Sequence, residues 1–166
     1  MPGLTPLGIV HTAISLVALA AGIIALVRDR EISPKSFVGK LYVWTTVLTC
    51  LTGFPIMQHG GFGKPHALGI LTLVVLVIAA VVGKAKFGHA SRYVEAVSYS
   101  ATFFFHWIPT VAETTTRLPV GAPLITNRDG PEIQAATGVL FLLFLIGATL
   151  QVRRMRTQSR RQIQVA

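Results

Sequence analysis

Hydrophobic residues gather into five long stretches along the chain, and short polar segments separate them. Each stretch is close to the ~20 residues that a helix needs to cross a ~30 Å hydrocarbon core. None of them alternates with period two, the pattern typical of a membrane β-strand. Because lipid offers the backbone no hydrogen-bond partners, this pattern predicts five transmembrane helices. The predicted helices cover residues 7–27, 38–58, 65–83, 93–112 and 132–152.

The predicted fold is an all-α integral membrane bundle over residues 1–152, followed by a basic tail over residues 153–166. The composition agrees with this fold, because 52% of the 166 residues are hydrophobic and only 13% are charged. A soluble domain has about 25% charged residues. Composition alone does not explain why so few charges leave a net charge of +9.

The basic residues explain that net charge by their positions relative to the predicted helices. Twelve of the fifteen lysines and arginines lie after the first stretch, after the third stretch and in the tail. These three segments all fall on one side of a five-helix membrane protein. By the positive-inside rule, that side is the cytoplasm of a bacterial-type inner membrane, and the N-terminus lies outside. The remaining three, Lys64, Arg117 and Arg128, fall on the outer side.

The positions of the basic residues also indicate which partners the chain contacts. The tail is expected to be a short basic helix or arm that is attracted to anionic membrane lipids. Nucleic acid is not an expected partner, because the chain lacks the polar surface of such proteins. A second copy of the chain or a partner membrane protein is the other expected contact. Cys50 is the only cysteine, so an internal disulfide and a C-x-x-C thiolate site are excluded.

Four of the five histidines fall in the outer half of the predicted bundle, although they played no part in deriving the topology. They are His11, His59, His66 and His106, and Glu113 lies near the same side. An ionisable residue in a membrane helix is costly and marks a candidate functional site. We therefore expect an outer cluster of histidines.

Polar residues of the fourth predicted helix share one face. Ser98, Thr102, His106 and Thr110 recur at every fourth position, a spacing that places side chains on one side of a helix. Such a face is expected to point into the bundle. Polar residues of the second helix are expected to meet it there, and these are Tyr42, Thr45, Thr49 and Thr52.

The histidine cluster is compatible with several kinds of chemistry. Imidazole binds Zn and Cu, so His11, His59, His66 and His106 are candidate metal ligands, with Glu113 as a further ligand or as an orienting carboxylate. Alternatively, His106 paired with His11 or His66 is a candidate pair of ligands for haem b. These sites would serve electron transfer or metal handling.

Two further readings involve no cofactor. In the first, the histidines only hydrogen-bond within the bundle of a non-catalytic structural or interaction protein. In the second, they belong to a subunit of a proton or small-solute permease. No catalytic motif is present, so an enzyme is not expected.

The region of the second and third predicted helices resembles a known family. The segment Lys35-Ser36-Phe37-Val38-Gly39-Lys40-Leu41-Tyr42-Val43, followed by Leu51-Thr52-Gly53, resembles a family of predicted bacterial membrane proteins of unknown function. In that family, Gly-basic-x-Tyr-Val opens a membrane helix and Leu-Thr-Gly closes it. This chain has Lys35 where the family often has histidine. The resemblance implies a multi-span inner-membrane protein and carries no known activity.

Overall fold

Five α-helices and no strand make up the part of the chain that the structure describes. This computed structural model describes residues 5–56, 61–85 and 90–165, with the side chains of residues 85 and 161–165 left out. The all-α prediction is confirmed for these residues. The helices are α1 (Pro6–Arg28), α2 (Phe37–Gly53), α3 (Lys64–Ala85), α4 (Ala90–Arg117) and α5 (Pro131–Val165).

Three of the helices are long and apolar enough to cross a membrane. Their spanning segments are Pro6–Arg28, Lys64–Lys84 and Pro131–Arg160, which correspond to the first, third and fifth predicted stretches. α2 has only 17 residues, and α4 carries the polar face described above. Membrane crossing by α2 and α4, and the orientation of the chain, stay predictions.

The ends of α2 and α5 differ from the predicted ones. α2 ends at Gly53, where the hydrophobic stretch had suggested residue 58. Pro55 lies two residues later, and it has no backbone N–H with which to continue the helix. α5 runs on through the basic segment to Val165. The region predicted as a separate tail is therefore a continuation of the last helix.

Side chains of the sequence set where α1 and α2 begin. Thr5 caps α1 by accepting a hydrogen bond from the backbone N–H of Gly8 at 3.1 Å, and Ser36 caps α2 by accepting one from Gly39 at 3.1 Å. Such caps satisfy N–H groups that have no partner inside the helix. Pro6 stands at the first position of α1, where its missing N–H and fixed φ favour the helix.

The chain divides into two compact units, Met1–Thr102 and Phe103–Ala166. In the first unit α1 packs along α2, and α2 also contacts α3. α1 buries Leu19 and five small residues, namely Gly8, Ala18, Ala21, Gly22 and Ala25. Small side chains allow two helix backbones to approach closely.

The second unit contains α5 and the C-terminal part of α4. The ring of Phe104 lies 5.6 Å from that of Phe144 and 5.8 Å from that of Phe141. The loop that connects the two helices folds back on the end of α4, because the N–H of Ile125 donates to the carbonyl of Thr115 at 3.1 Å.

Candidate functional site

Two of the predicted site histidines meet the C-terminal end of α2. His11 of α1 hydrogen-bonds Thr52, and His66 of α3 hydrogen-bonds Phe54. Gly53, between these two partners, lies against the ring of His11. We call these five residues the α2-end site. Both histidines therefore contact the C-terminal end of α2, and their convergence into one cluster stays a prediction.

His66 uses both of its ring nitrogens within the chain. Its Nδ1 accepts a hydrogen bond from the backbone N–H of Gly63 at 3.2 Å, so Nδ1 carries no proton. The proton of the neutral ring is then on Nε2, which donates to the carbonyl of Phe54 at 3.1 Å. A neutral imidazole has one donor and one acceptor, and both are satisfied here. The ring is also buried and stacks on Phe62 at 5.4 Å.

His66 hydrogen-bonds the carbonyl of the residue that caps the C-terminal end of α2. The last carbonyls of a helix have no intrahelical partner, and Phe54 is the C-terminal cap of α2. His66 satisfies this carbonyl from the first turn of α3. The ring of Phe54 in turn packs beside Gly69, where an added Cβ would lie 3.3 Å from it. These contacts fix the end of α2 against α3.

His11 contacts the end of α2 through Nδ1. The Thr52 hydroxyl lies 2.7 Å from the carbonyl of Leu48 and donates its hydrogen there. The Thr52 oxygen therefore accepts from His11 Nδ1–H, over 3.1 Å. In this tautomer Nε2 carries the lone pair. The ring passes so close to Gly53 that a Cβ there would lie 3.1 Å from His11 Cε1.

Three further residues were predicted for the site, namely His106, Glu113 and His59. His106 is buried in the part of α4 that belongs to the second unit. Glu113, one turn before the end of α4, pairs with two arginines: Arg117 Nε lies 2.5 Å from one carboxylate oxygen, and Arg128 hydrogen-bonds the other. The carboxylate predicted as a ligand or orienting group thus has both oxygens engaged by guanidinium groups. His59 lies outside the described residues.

No metal-binding group is seen in the described part of the chain. Across residues 5–56, 61–85 and 90–165, no three His, Cys, Asp or Glu side chains are arranged to hold a metal ion. His66 is not arranged as a metal ligand because both of its ring nitrogens make hydrogen bonds within the chain. Glu113 is not, because both of its carboxylate oxygens pair with arginines. The structure therefore lends no support to a Zn, Cu or haem b site among them.

A buried polar contact joins α2 to α4 within the first unit. The hydroxyl of Thr102 donates to the carbonyl of Tyr99 at 2.8 Å, so it accepts from Tyr42, whose hydroxyl lies 2.8 Å away. Both side chains are fully buried. The polar faces of the second and fourth predicted helices therefore meet at this pair, as expected. Other threonine hydroxyls bond the carbonyl four residues earlier, as Thr49 does with Thr45.

Gly39 is an important residue whose position the histidine pattern did not reveal. A Cβ at Gly39 would lie 1.8 Å from the carbonyl oxygen of Ser33. The loop before α2 therefore folds directly onto the first turn of the helix, and only glycine leaves room for it. The sequence did mark this position, because Gly39 and Tyr42 both belong to the Gly-basic-x-Tyr-Val segment and both make close contacts.

The chain matches no protein-family model. It also matches no curated protein and no solved structure. The contacts of the α2-end site, the Tyr42–Thr102 pair and the distribution of charge are therefore the basis for a functional proposal.

Proposed function

We propose that the chain is a multi-span protein of a bacterial-type inner membrane, with five transmembrane helices, an outer N-terminus and a cytoplasmic C-terminus. Three helices long and apolar enough to cross a membrane support this, as does the charge asymmetry. α2, with 17 residues, is about 25 Å long at 1.5 Å per residue, so a few flanking residues complete a crossing. The buried Tyr42–Thr102 hydrogen bond suits a helix pair in lipid.

Within that membrane, the chain acts as a non-catalytic structural or interaction protein. The observation that carries this proposal is the engagement of both His66 nitrogens by backbone groups of Gly63 and Phe54. A histidine in this state fixes two helix ends and has no nitrogen left for a ligand. The two arginines on Glu113 support the same reading for the loop between α4 and α5.

The surface of α5 supports an interaction role. Only 6% of its apolar window is buried, against 28% in α1 and 22% in α3. A helix this exposed is available to lipids, to a second copy of the chain or to a partner membrane protein. α5 is long and apolar enough to insert into a membrane without further contacts.

A metal or haem site at the outer side is the second candidate. It is favoured by the contact of His11 Nδ1 with the Thr52 hydroxyl at 3.1 Å. Histidines that ligate metals are commonly oriented by a hydrogen bond of one ring nitrogen. A proton-conducting subunit would use the same histidine.

Visible absorption and elemental analysis of the purified full-length protein separate the two candidates. The structural proposal expects no Soret band and no stoichiometric Cu or Zn. It also expects His66→Ala to lower the free energy of unfolding in detergent micelles by about 2 kcal/mol, because two buried backbone groups lose their partner. His66→Gln, which offers both a donor and an acceptor, should recover part of that loss.

A stoichiometric haem or metal that His11→Ala removes would overturn the structural proposal and favour the second candidate. The topology is tested separately. A reporter fused after Arg161 should be active only in the cytoplasm, and an external signal would contradict the five-helix arrangement.

A further inference from the structure

The last part of α5 is basic without any acidic residue. From residue 133 to residue 166 the chain contains five arginines, no lysine, no aspartate and no glutamate. The segment therefore has five positive side chains and no acidic side chain. The segment is helical through Val165, so their positions along it are fixed by helix geometry.

Three of the arginines form one row. Arg153, Arg156 and Arg160 stand at positions i, i+3 and i+7, which share a helix face, and all three are exposed. Gln151 and Met155, four positions apart on a different face, are buried. The helix therefore turns a row of guanidinium groups away from its buried side. We call these three residues the arginine row.

The row begins where the apolar part of α5 ends. Val152 is the last residue of the apolar stretch and Arg153 follows it directly. From Arg153 to Arg160 the helix rises about 10 Å. The polar layer on each side of a bilayer is roughly 5–8 Å thick. In the proposed topology, on which this inference rests, the row crosses the headgroup layer of the cytoplasmic leaflet.

We propose that the arginine row binds the headgroups of acidic phospholipids in the cytoplasmic leaflet. The planar guanidinium group matches the geometry of phosphate oxygens and can hold two of them at once. An acidic headgroup adds net negative charge that a zwitterionic headgroup lacks, and no carboxylate of the segment opposes it. The row thus selects lipids by charge at the depth where their phosphates lie.

Native mass spectrometry of the full-length protein in detergent tests this proposal with two lipids of the same acyl chains. The wild type should retain phosphatidylglycerol in preference to phosphatidylethanolamine. Arg153→Gln with Arg160→Gln should reduce this preference by about 25-fold, because each basic residue near an anionic surface contributes about fivefold. The preference of the wild type should also fall as salt rises from 0.05 to 0.5 M (roughly 14 to 4 Å of Debye length).

The matched control is Arg154→Gln with Arg161→Gln, which also removes two arginines seven positions apart in the same helix. It should reduce the preference by less than about fivefold. Equal losses in the two double variants would overturn the row as a site and leave only diffuse attraction. Equal retention of the two lipids by the wild type, or a preference unaffected by salt, would overturn lipid selection altogether.

Failure of the underlying topology has a different signature. If the reporter after Arg161 is active outside, the orientation is wrong although a preference for phosphatidylglycerol persists. If that reporter is cytoplasmic and the wild type shows no preference, the topology stands and the lipid site is wrong.

Discussion

α2 and α5 are held in place by different physical means. α2 is the shortest of the five helices, with 17 residues. Close contacts fix it at Gly39 and Tyr42 in its first two turns and at Gly53, its last residue. α5 has 35 residues and exposes leucine, isoleucine and valine side chains along its apolar part. A Cβ added at Gly138 or Gly147 would have no atom within 4 Å, apart from its chain neighbours and the backbone of its own helix.

The comparison separates two kinds of information in the sequence. Hydropathy identifies α5 and does not single out α2, because α2 mixes threonines and glycines with its apolar residues. Specific contacts distinguish α2. The Tyr42 and Thr102 hydroxyls lie 2.8 Å apart, and a Cβ added at Gly39 or Gly53 would lie within 3.1 Å of another atom. Substitutions of the same kind should therefore have opposite consequences in the two helices, and glycine-to-alanine changes test this directly.

Gly39→Ala should have the largest effect. The new methyl group would lie 1.8 Å from the backbone oxygen of Ser33, and backbone on both sides leaves no flexible group to move aside. We expect the free energy of unfolding in detergent micelles to fall by about 3 kcal/mol, as for severe overpacking. A change below about 0.5 kcal/mol would show that the loop before α2 does not rest on this glycine.

Tyr42→Phe should have the next largest effect. It removes the hydroxyl that donates to Thr102 and leaves a fully buried acceptor without this partner. The expected loss is about 1.5 kcal/mol in the free energy of unfolding. A double-mutant cycle with Thr102→Val provides the control, because the two changes should couple by about 1 kcal/mol if the hydroxyls interact. Additive losses would mean that the α2–α4 contact is not a hydrogen bond.

Much of the fold could be predicted from the sequence, because membrane helices are long and uniformly apolar. The three apolar helices appear at the predicted positions, and α2 stops before Pro55. The site was harder to predict for a physical reason. His66 is fixed by the N–H of Gly63 and the carbonyl of Phe54, and no side-chain pattern marks which backbone atoms a histidine will meet.

Glu113 illustrates the same limit with charged groups. Arg117 follows it by four positions, so this ion pair was readable from helix spacing. Arg128 reaches it from a loop whose path is set by backbone hydrogen bonds such as Ile125 to Thr115. Local spacing is thus enough to suggest Arg117 as a partner, whereas the pairing with Arg128 depends on the fold of the loop.

Gly53→Ala should have a moderate effect. Its Cβ would lie 3.1 Å from Cε1 of His11, so the ring must move by a few tenths of an ångström and its bond to Thr52 lengthens. We expect a loss of about 1 kcal/mol in the free energy of unfolding. In a His11→Ala background the same change should be neutral, because the ring is gone. An undiminished loss in that background would indicate that another atom opposes the methyl group.

Gly147→Ala in α5 should have the smallest effect and a different sign. No heavy atom lies within 4 Å of the added methyl group in the structure, so overpacking does not oppose it. Alanine favours a helix over glycine by up to about 1 kcal/mol, and we expect the free energy of unfolding in detergent micelles to rise by between zero and that amount. Gly138→Ala, equally open, is the matched control and should behave alike. If Gly147→Ala instead lowers stability while Gly138→Ala does not, a second copy of the chain packs closely at Gly147, and dilution of the protein should then remove the difference. Such a result would make α5 a helix defined by specific contacts like α2, with those contacts supplied from outside the chain.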